Sequence, residues 1–342
     1  SIAGKIIVPI PHHQSPNHQT SLIKMKWRCI PFSIALAYFV HNPVSGFANQ
    51  LSSRARLSLA PKPLKSPAFS AICSAQFGTA NSALTSLTSS LLKGTGQVPL
   101  PQSFGINAFL FTALSPKLFT MLTPTGFVHS CALGTFLWNA LGYKGWSLCV
   151  LYLFLGQLVT KIRFTEKEEA GISEKRGGRR GPENVWGSAL TGLICAKASV
   201  RPNFLGIPSH FFLLAYVASL CTKLADTFAS EIGKAFGKTT FLITTFERVK
   251  PGTEGAVSLE GTLAAVLGGF LLAMYGYVLG LINLRGTAIA TIAAFLATNV
   301  ESLIGATLQD KKGWEFMTNE VVNFINTLIG AALAIIGGYL FL

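Results

Sequence analysis

The sequence predicts an all-α membrane protein, a polytopic bundle of six to eight transmembrane helices that follows a disordered N-terminal leader. Three observations predict this fold class. Half of the 342 residues are hydrophobic, only 12% are charged, and the mean hydropathy is +0.47. An ordinary soluble domain has roughly 25% charged residues. The composition therefore argues against a soluble enzyme.

Apolar runs recur from Ile106 to the end of the chain and are separated by short polar links. A helix needs about 20 apolar residues to cross a bilayer core of roughly 30 Å. Trp138, Tyr143 and Trp146 stand near the ends of these runs, as the aromatic residues of membrane interfaces do. The predicted spans are residues 106–122, 126–142, 145–162, 185–200, 209–232, 257–284, 286–308 and 323–342.

Residues 1–103 are predicted to be a targeting peptide and leader, and residues 104–342 the membrane-embedded domain. The leader contains no Asp or Glu, because every acidic residue of the chain lies at or after Glu166. Residues 51–100 are rich in Ser and Thr. This composition is typical of an organelle transit peptide. The short apolar run at residues 29–40 leaves a secretory signal as the alternative, which the long Ser/Thr tract disfavours.

The net charge of +14 does not indicate a nucleic-acid surface. Most of the excess lies before Glu166, in the leader and beside apolar runs, without an accompanying basic and aromatic motif. We therefore expect no nucleic-acid partner, and we interpret the positive charge as targeting and topology information.

The most highly charged connection runs from Arg163 to Asn184 and must lie in water. Two interpretations stay open. Its Lys and Arg residues can fix the orientation of the neighbouring spans. Alternatively, guanidinium groups alternating with glycines form a clamp for a phosphate. The candidate anion ligands are Lys175, Arg176, Arg179, Arg180 and Asn184.

The segment that begins at Lys223 places acids on an apolar helix. Small residues at this spacing let membrane helices pack closely, which is the simpler explanation of the pattern. That explanation leaves out Asp226 and Glu231, since an ionisable group inside a membrane costs at least about 2.5 kcal/mol and marks function. We predict that Asp226, Glu231 and the following Lys238 are catalytic. The residues that share one helical face are Thr222, Asp226, Ser230, Gly233 and Gly237.

The next segment supplies candidate ligands for a polyphosphate and a metal. Gly237 and Lys238 resemble the end of a P-loop, but the glycine spacing is one residue short and a helix precedes them. Lysines and backbone N–H groups of glycines still suit a polyphosphate. The candidate phosphate-binding residues are Gly233, Gly237, Lys250, Gly252, Thr253, Gly255 and Ser258. The candidate Mg²⁺ ligands are Asp226, Glu254 and Glu260.

Polar residues in the last two spans are further candidates. Glu301 and Asn299 lie in one predicted helix, and Asn323 lies in the next. Interhelical hydrogen bonds, worth about 0.6 kcal/mol each on average, explain the asparagines equally well. For Glu301 a role in the site is favoured.

Five stretches carry a family resemblance: EKEEAGISEKRGGRRGPENVWGSAL, ADTFASEIGKAFGK, VKPGTEGAVSLEGTLAA, ATNVESLIGATLQ and NEVVNFINT. They closely resemble the DUF92/TMEM19 family of integral membrane proteins, and in particular its plant plastid phytyl-phosphate kinases. The resemblance extends from about residue 104 to the end. It is more distant to the CTP-dependent polyprenol and phytol kinases, whose pattern is approximated by Asp226, Gly233, Gly237, Lys238, Lys250, Thr253, Glu254 and Gly255.

The resemblance implies an enzyme that transfers a phosphoryl group from a nucleoside triphosphate, CTP, to phytyl monophosphate and so forms phytyl diphosphate for tocopherol synthesis. From the residues themselves we expect Mg²⁺ as cofactor, held by the carboxylates, and the acceptor phosphate at the arginine loop, held by guanidinium groups. The plastid resemblance implies membrane lipid as partner and a multi-pass location in the chloroplast envelope. Two alternatives stay open. A membrane transporter also uses buried acids, and a kinase of the free prenyl alcohol would need Asp226 or Glu231 as a base.

Overall fold

A computed structural model describes residues 97–309 and 311–342 of the protein. Nearly all of the predicted leader, residues 1–103, therefore lies outside the described residues. The described part forms α1 (Leu100–Leu118), α2 (Pro124–Lys161), α3 (Phe164–Glu169), a 3₁₀ turn (Lys175–Gly178), α4 (Pro182–Ala198), α5 (Ser209–Phe236), β1 (Thr240–Leu242), β2 (Ala256–Ser258), α6 (Leu259–Val278), α7 (Leu284–Thr307) and α8 (Asn319–Phe341).

The predicted fold class, an all-α membrane bundle, is confirmed. In the described part of the chain, α5, α6, α7 and α8 are long and apolar enough to cross a membrane. Two predicted spans, 126–142 and 145–162, correspond to the two halves of α2, which meet at a sharp break at Gly142. This glycine has φ 61° and ψ −155°, a conformation that costs little only without a Cβ.

A short antiparallel ribbon was not predicted. Strands β1 and β2 pair Thr240 with Ser258 and Leu242 with Ala256. The predicted span 257–284 therefore begins later, because Ser258 ends β2 and its hydroxyl accepts a hydrogen bond of 3.1 Å from Gly261 N at the start of α6. Such a cap satisfies a backbone donor that the helix itself leaves free. The segment that connects the two strands, residues 243–255, therefore begins and ends near the C-terminal end of α5 and the start of α6.

Helix α5 is the centre of the bundle and contacts α2, α4, α6, α7 and α8. In its most apolar 18-residue window 94% of the residues are buried, against 33% for α7 and α8. Small residues allow this close packing: a Cβ on Gly330 of α8 would lie 2.0 Å from Thr222 Oγ1 of α5. The middle of α5, from Phe211 to Phe228, is consequently almost entirely buried.

The outer helices present apolar side chains away from this centre. Leu263 on α6, Ile292 on α7 and Ile336 on α8 are all more than half exposed. Because each helix satisfies its own backbone hydrogen bonds, such faces suit contact with lipid tails. The bundle therefore has an apolar exterior and a largely apolar core around α5.

Candidate functional site

A polar cavity of about 990 Å³ lies between the Ser173–Asn184 loop, α5, the Pro251–Ser258 segment, α7 and the start of α8. It is lined by side chains of both charges. The basic residues are Lys175, Arg176, Arg179, Arg180, Lys223, Lys234, Lys311 and Lys312, and the acidic residues are Glu174, Asp226, Glu254, Glu301, Glu315 and Glu320. Such a lining suits anionic ligands together with a metal cation.

A buried ionic cluster lies on α5 at one side of the cavity. Lys223 Nζ donates hydrogen bonds to Asp226 Oδ2 and, over 2.6 Å, to Asn323 Oδ1 of α8. These residues are only 6%, 8% and 5% exposed. Glu301 on α7 brings a second carboxyl group within hydrogen-bonding reach of Asp226. Two carboxyl groups, one ammonium group and one side-chain amide from three helices, α5, α7 and α8, thus lie together.

The arginine loop, which is the Ser173–Asn184 segment that carries Arg176, Arg179 and Arg180, is attached to α2 and to the turn between α1 and α2. Gln157 Nε2 donates a hydrogen bond of 2.9 Å to Gly178 O. Arg180 N donates to Met121 O over 2.9 Å, so the backbone beside the arginines is fixed at a second point. The backbone of the arginine loop is therefore fixed in place as one wall of the cavity.

The arginine side chains differ in their partners. Arg176 Nη2 donates to Glu183 and, over 2.8 Å, to Asn184 Oδ1. Arg180 Nη1 lies 3.5 Å from the Tyr152 hydroxyl, and its buried Nε has no hydrogen-bond partner in the described part of the chain. Arg179 is exposed and makes no side-chain hydrogen bond or ion pair with the described residues. Arg179 and Arg180 therefore retain donors for an anion.

Glu174 sits among these cations. Its carboxylate lies 3.8 Å from Lys234 Nζ. Partial burial opposes ionisation of Glu174, but the positive charges of Lys234, Arg180 and Lys223 outweigh it and hold the pKa of Glu174 below its ordinary value. Glu174 is consequently an anion at neutral pH and partly balances the basic loop.

The glycine-containing segment before β2 packs against α7. Gly255 has φ 75°, and a Cβ there would lie 2.4 Å from Ala306 Cβ and 2.6 Å from Ser302 O. No other residue type allows this approach without strain. The packing brings Glu254 to the cavity, with its Oε2 3.8 Å from the position a Cβ on Gly305 would occupy. Close packing thus accounts for Gly255 without a phosphate.

Most predicted site residues line the cavity, although none of their roles follows from position alone. They are Asp226, Gly233, Gly252, Thr253, Gly255, Ser258, Lys175, Arg176, Arg179, Arg180, Asn184, Glu254, Asn299, Glu301 and Asn323. Those that the structure places outside its lining are Glu231, Gly237, Lys238, Lys250 and Glu260. The roles predicted for both groups of residues stay predictions.

Each exception has a physical reason. Lys238 and Lys250 lie in the ribbon region with exposed side chains. Glu260 Oε1 accepts a hydrogen bond of 3.4 Å from Lys238 N and so is engaged at the start of α6. Gly237 ends α5, where its N–H donates to Gly233 O over 2.9 Å.

Glu231 is buried in an ion pair directly behind the cavity lining, next to the lining residue Glu174. Its carboxylate accepts from Lys167 Nζ of α3, and the two side chains are 1% and 2% exposed. Lys167 Nζ also donates to Thr160 O over 2.9 Å. Glu231 therefore connects α5 to α3, the helix that precedes the arginine loop. Its catalytic role stays a prediction.

Four cavity lysines, Lys223, Lys234, Lys311 and Lys312, were not predicted as site residues. Lys223 could have been found, because it stands three residues before Asp226 on the same helix and a lone lysine inside an apolar span needs a partner. Lys311 and Lys312 carry no such signal, since exposed loop lysines are common.

Asp226, Glu254 and Glu301 are the cavity carboxylates of α5, the segment before β2 and α7 that could hold Mg²⁺. Within residues 97–309 and 311–342 no group of three His, Cys, Asp or Glu side chains is arranged to hold a metal ion. In nucleotide-dependent enzymes Mg²⁺ is usually bound by one or two carboxylates and by the phosphates. Asp226 with Glu301 meets that requirement. Glu260, one of the predicted ligands, does not line the cavity.

Comparison with known proteins decides the family. The model of the family "Integral membrane protein DUF92" matches residues 107–331. This chain is a member of the DUF92 family of integral membrane proteins. It is 53% identical to an uncharacterized membrane protein of Synechocystis sp. over 73% of this chain and 95% of the relative.

Two further relatives broaden the comparison. Protein VTE6, chloroplastic, of Arabidopsis thaliana is 46% identical over 67% of this chain and 69% of its own length. An uncharacterized membrane protein of Methanocaldococcus jannaschii is 34% identical over 66% of this chain and 89% of its own length. No solved structure matches. The DUF92 match spans all of the residues that line the polar cavity, from Thr160 to Asn323.

Proposed function

We propose that this chain is a prenyl-phosphate kinase of the chloroplast envelope, a multi-pass enzyme that transfers the terminal phosphoryl group of CTP to phytyl monophosphate. The product is phytyl diphosphate, a precursor for tocopherol synthesis. The resemblance of the quoted motifs to phytyl-phosphate kinases supports this activity, and the similarity to the chloroplastic protein VTE6 supports the location. The proposed ligands are CTP, phytyl phosphate and membrane lipid.

The observation that carries the proposal is the charge arrangement of the polar cavity. The arginine loop forms one wall, and the carboxylates of Asp226 and Glu301 come from α5 and α7. Phosphoryl transfer between two anions needs their mutual repulsion to be neutralised and the reacting oxygens to be held in line. A wall of guanidinium groups facing metal-binding carboxylates meets the first need directly.

The acceptor is proposed to be a phosphate monoester rather than an alcohol. A monoester is already ionised near neutral pH, so its attack requires no strong general base, whereas an alcohol does. Arg179 and Arg180 offer bidentate donors that suit a phosphate. Among the described residues no histidine lines the cavity, and Asp226, the remaining base candidate, is already paired with Lys223. These features favour the monoester.

Asp226 and Glu301 are proposed to hold the Mg²⁺ that accompanies the nucleotide, with Glu254 nearby. Bound there, Mg²⁺ would neutralise charge on the donor phosphates. Lys223 positions Asp226 through its hydrogen bond, and Asn323 fixes Lys223 in turn. Thr253 and Ser258 line the same cavity and add hydroxyl groups on the donor side.

The decisive experiment uses the purified full chain in nanodiscs with nucleotides labelled at the terminal phosphate. CTP, UTP, GTP and ATP are each combined with phytyl phosphate or phytol, and lipid products are separated by thin-layer chromatography. We expect labelled phytyl diphosphate from phytyl phosphate, fastest with CTP. Asp226→Asn, which keeps the shape but removes the charge, is the inactive control.

Other outcomes would redirect the proposal. Labelled phytyl monophosphate formed from phytol would indicate a kinase of the free alcohol. Substrate flux across proteoliposomes without nucleotide consumption would indicate a transporter. Either result, without phytyl diphosphate formation, contradicts the proposed reaction.

A further inference from the structure

A second, smaller cavity of about 60 Å³ lies beside the polar cavity, between α1, α2 and α4. Its walls are mainly apolar, with Leu133 and Leu137 of α2 among them. We name it the apolar crevice. Three residues at its edge, Arg180, Asn184 and Ser188, also line the polar cavity. The two spaces therefore meet at the arginine loop and the first turns of α4.

The chemistry changes abruptly at this junction. The Arg180 guanidinium lies 5.8 Å from the centroid of the Tyr152 ring, and Tyr152 lines the apolar crevice. Asn184 and Ser188 stand four residues apart on α4 and so share one face of it. A guanidinium group that can donate hydrogen bonds to an anion is consequently next to an apolar wall. An amphiphile with an anionic head group matches this pair of surfaces.

We infer that the apolar crevice binds the phosphate-proximal end of the acceptor's isoprenoid tail, with the acceptor phosphate at Arg180. The inference rests on the proposed function and adds where the tail of the acceptor lies. The crevice has room for only the first carbon atoms, so the rest of the tail extends among lipid tails. Selectivity should therefore depend on branching near the phosphate and little on total chain length.

The mutational test fills the crevice at a position that is only partly buried. Val150→Trp adds an indole to the crevice wall, and Leu158→Trp adds the same group to an exposed position of the same helix. Misfits of one methylene in an apolar pocket change discrimination by roughly 10- to 200-fold. We expect Val150→Trp to raise the KM for phytyl phosphate at least about tenfold. The KM for CTP and all constants of Leu158→Trp should stay normal.

A second measurement needs no variant, so it remains informative if Val150→Trp does not fold. A phytyl phosphate analogue with a photoreactive diazirine on the first carbons of the tail is bound to the wild-type full chain in nanodiscs. Cross-linked peptides are identified by mass spectrometry, and label is expected within residues 130–153 and 180–189. Unlabelled phytyl phosphate should displace it, whereas phosphatidylglycerol should not.

The outcomes separate this inference from the kinase itself. If wild-type protein forms phytyl diphosphate while Val150→Trp behaves normally and label falls elsewhere, the crevice assignment is overturned and the kinase stands. If phosphatidylglycerol displaces the label as well as phytyl phosphate does, the crevice is a general lipid site and the assignment also fails. Specific label without any turnover supports an isoprenoid-phosphate site but contradicts the kinase. If the protein shows no specific label and no turnover, both the crevice assignment and the kinase are overturned.

Discussion

Replacing Lys167 with methionine tests whether the buried ion pair beneath the arginine loop holds the site together. Lys167 on α3 and Glu231 on α5 are 2% and 1% exposed, and Lys167 Nζ is further bound by Thr160 O. Methionine has a similar length and no charge. It would leave the Glu231 carboxylate buried with its strongest partner removed.

The expected loss of stability follows from that burial. Removing one member of a buried ion pair typically costs about 3–5 kcal/mol. For a domain of 150–250 residues each kcal/mol lowers Tm by roughly 2–4 °C. We therefore expect Lys167→Met to lower the Tm of the full chain in detergent by on the order of 10 °C.

The assay is thermal unfolding followed by tryptophan fluorescence. Lys117→Met, at an exposed position of α1, is the matched control and should leave Tm nearly unchanged. The double variant Lys167→Met/Glu231→Leu removes both charges and should regain most of the lost stability, because an apolar pair of similar volume carries no desolvation cost. Equal Tm values for Lys167→Met and Lys117→Met, or additive losses in the double variant, would refute the reasoning.

Activity measurements on the same protein separate a structural role from a catalytic one. Glu231→Gln should lower Tm, but the fraction that remains folded should keep most of its kcat, since Glu231 does not line the cavity. Loss of kcat by two orders of magnitude at unchanged Tm would instead restore Glu231 to the catalytic role that the sequence predicts.

Three other predictions concern the cavity directly. Asp226→Asn should abolish turnover with little loss of expression, and near-normal kcat would exclude a metal-binding role for Asp226. Arg179→Lys should raise the KM for phytyl phosphate and leave that for CTP unchanged, because an ammonium group cannot form the bidentate pair; Lys175→Arg, which keeps the charge, is the control. Glu174→Gln should lower Tm at pH 7, since a carboxylate with a lowered pKa stabilises the fold above its unfolded pKa of about 4.3. That difference should shrink as the pH falls through the lowered pKa of Glu174, and a difference that does not change with pH would contradict the assignment.

The helices could be predicted from sequence because apolar runs and caps are local signals. The run after Ser209 gives α5, and the runs after Leu284 and Asn319 give α7 and α8. The predicted division between residues 142 and 145 agrees with the structure, because the backbone of Gly142 is non-helical and separates the two halves of α2. The β1–β2 ribbon was missed because strands of three residues carry almost no periodic signal.

Part of the site could be predicted because an ionisable residue inside an apolar segment is costly and therefore marks a candidate site residue. Asp226 and Glu301, which that argument selected, both line the cavity. It also selected Glu231, because sequence shows that a buried acid needs a partner but not which partner it finds. The partner is Lys167, 64 residues earlier in the chain. Only the packing of α3 against α5 shows this pairing.

The same reasoning explains why the site carries Lys223 three residues before Asp226. An isolated carboxylate at this depth is costly, and the adjacent ammonium group offsets that cost while leaving Glu301 as a second acid. Asp226 and Glu301 together offer oxygen ligands for a metal cation. The arginine loop on the opposite wall has the reverse preference, because Glu174 offsets only part of its charge. A pathway for one kind of ion would need a lining that attracts ions of one charge. A reaction between a metal-bound nucleotide and a phosphate monoester needs a site that binds both a cation and anions.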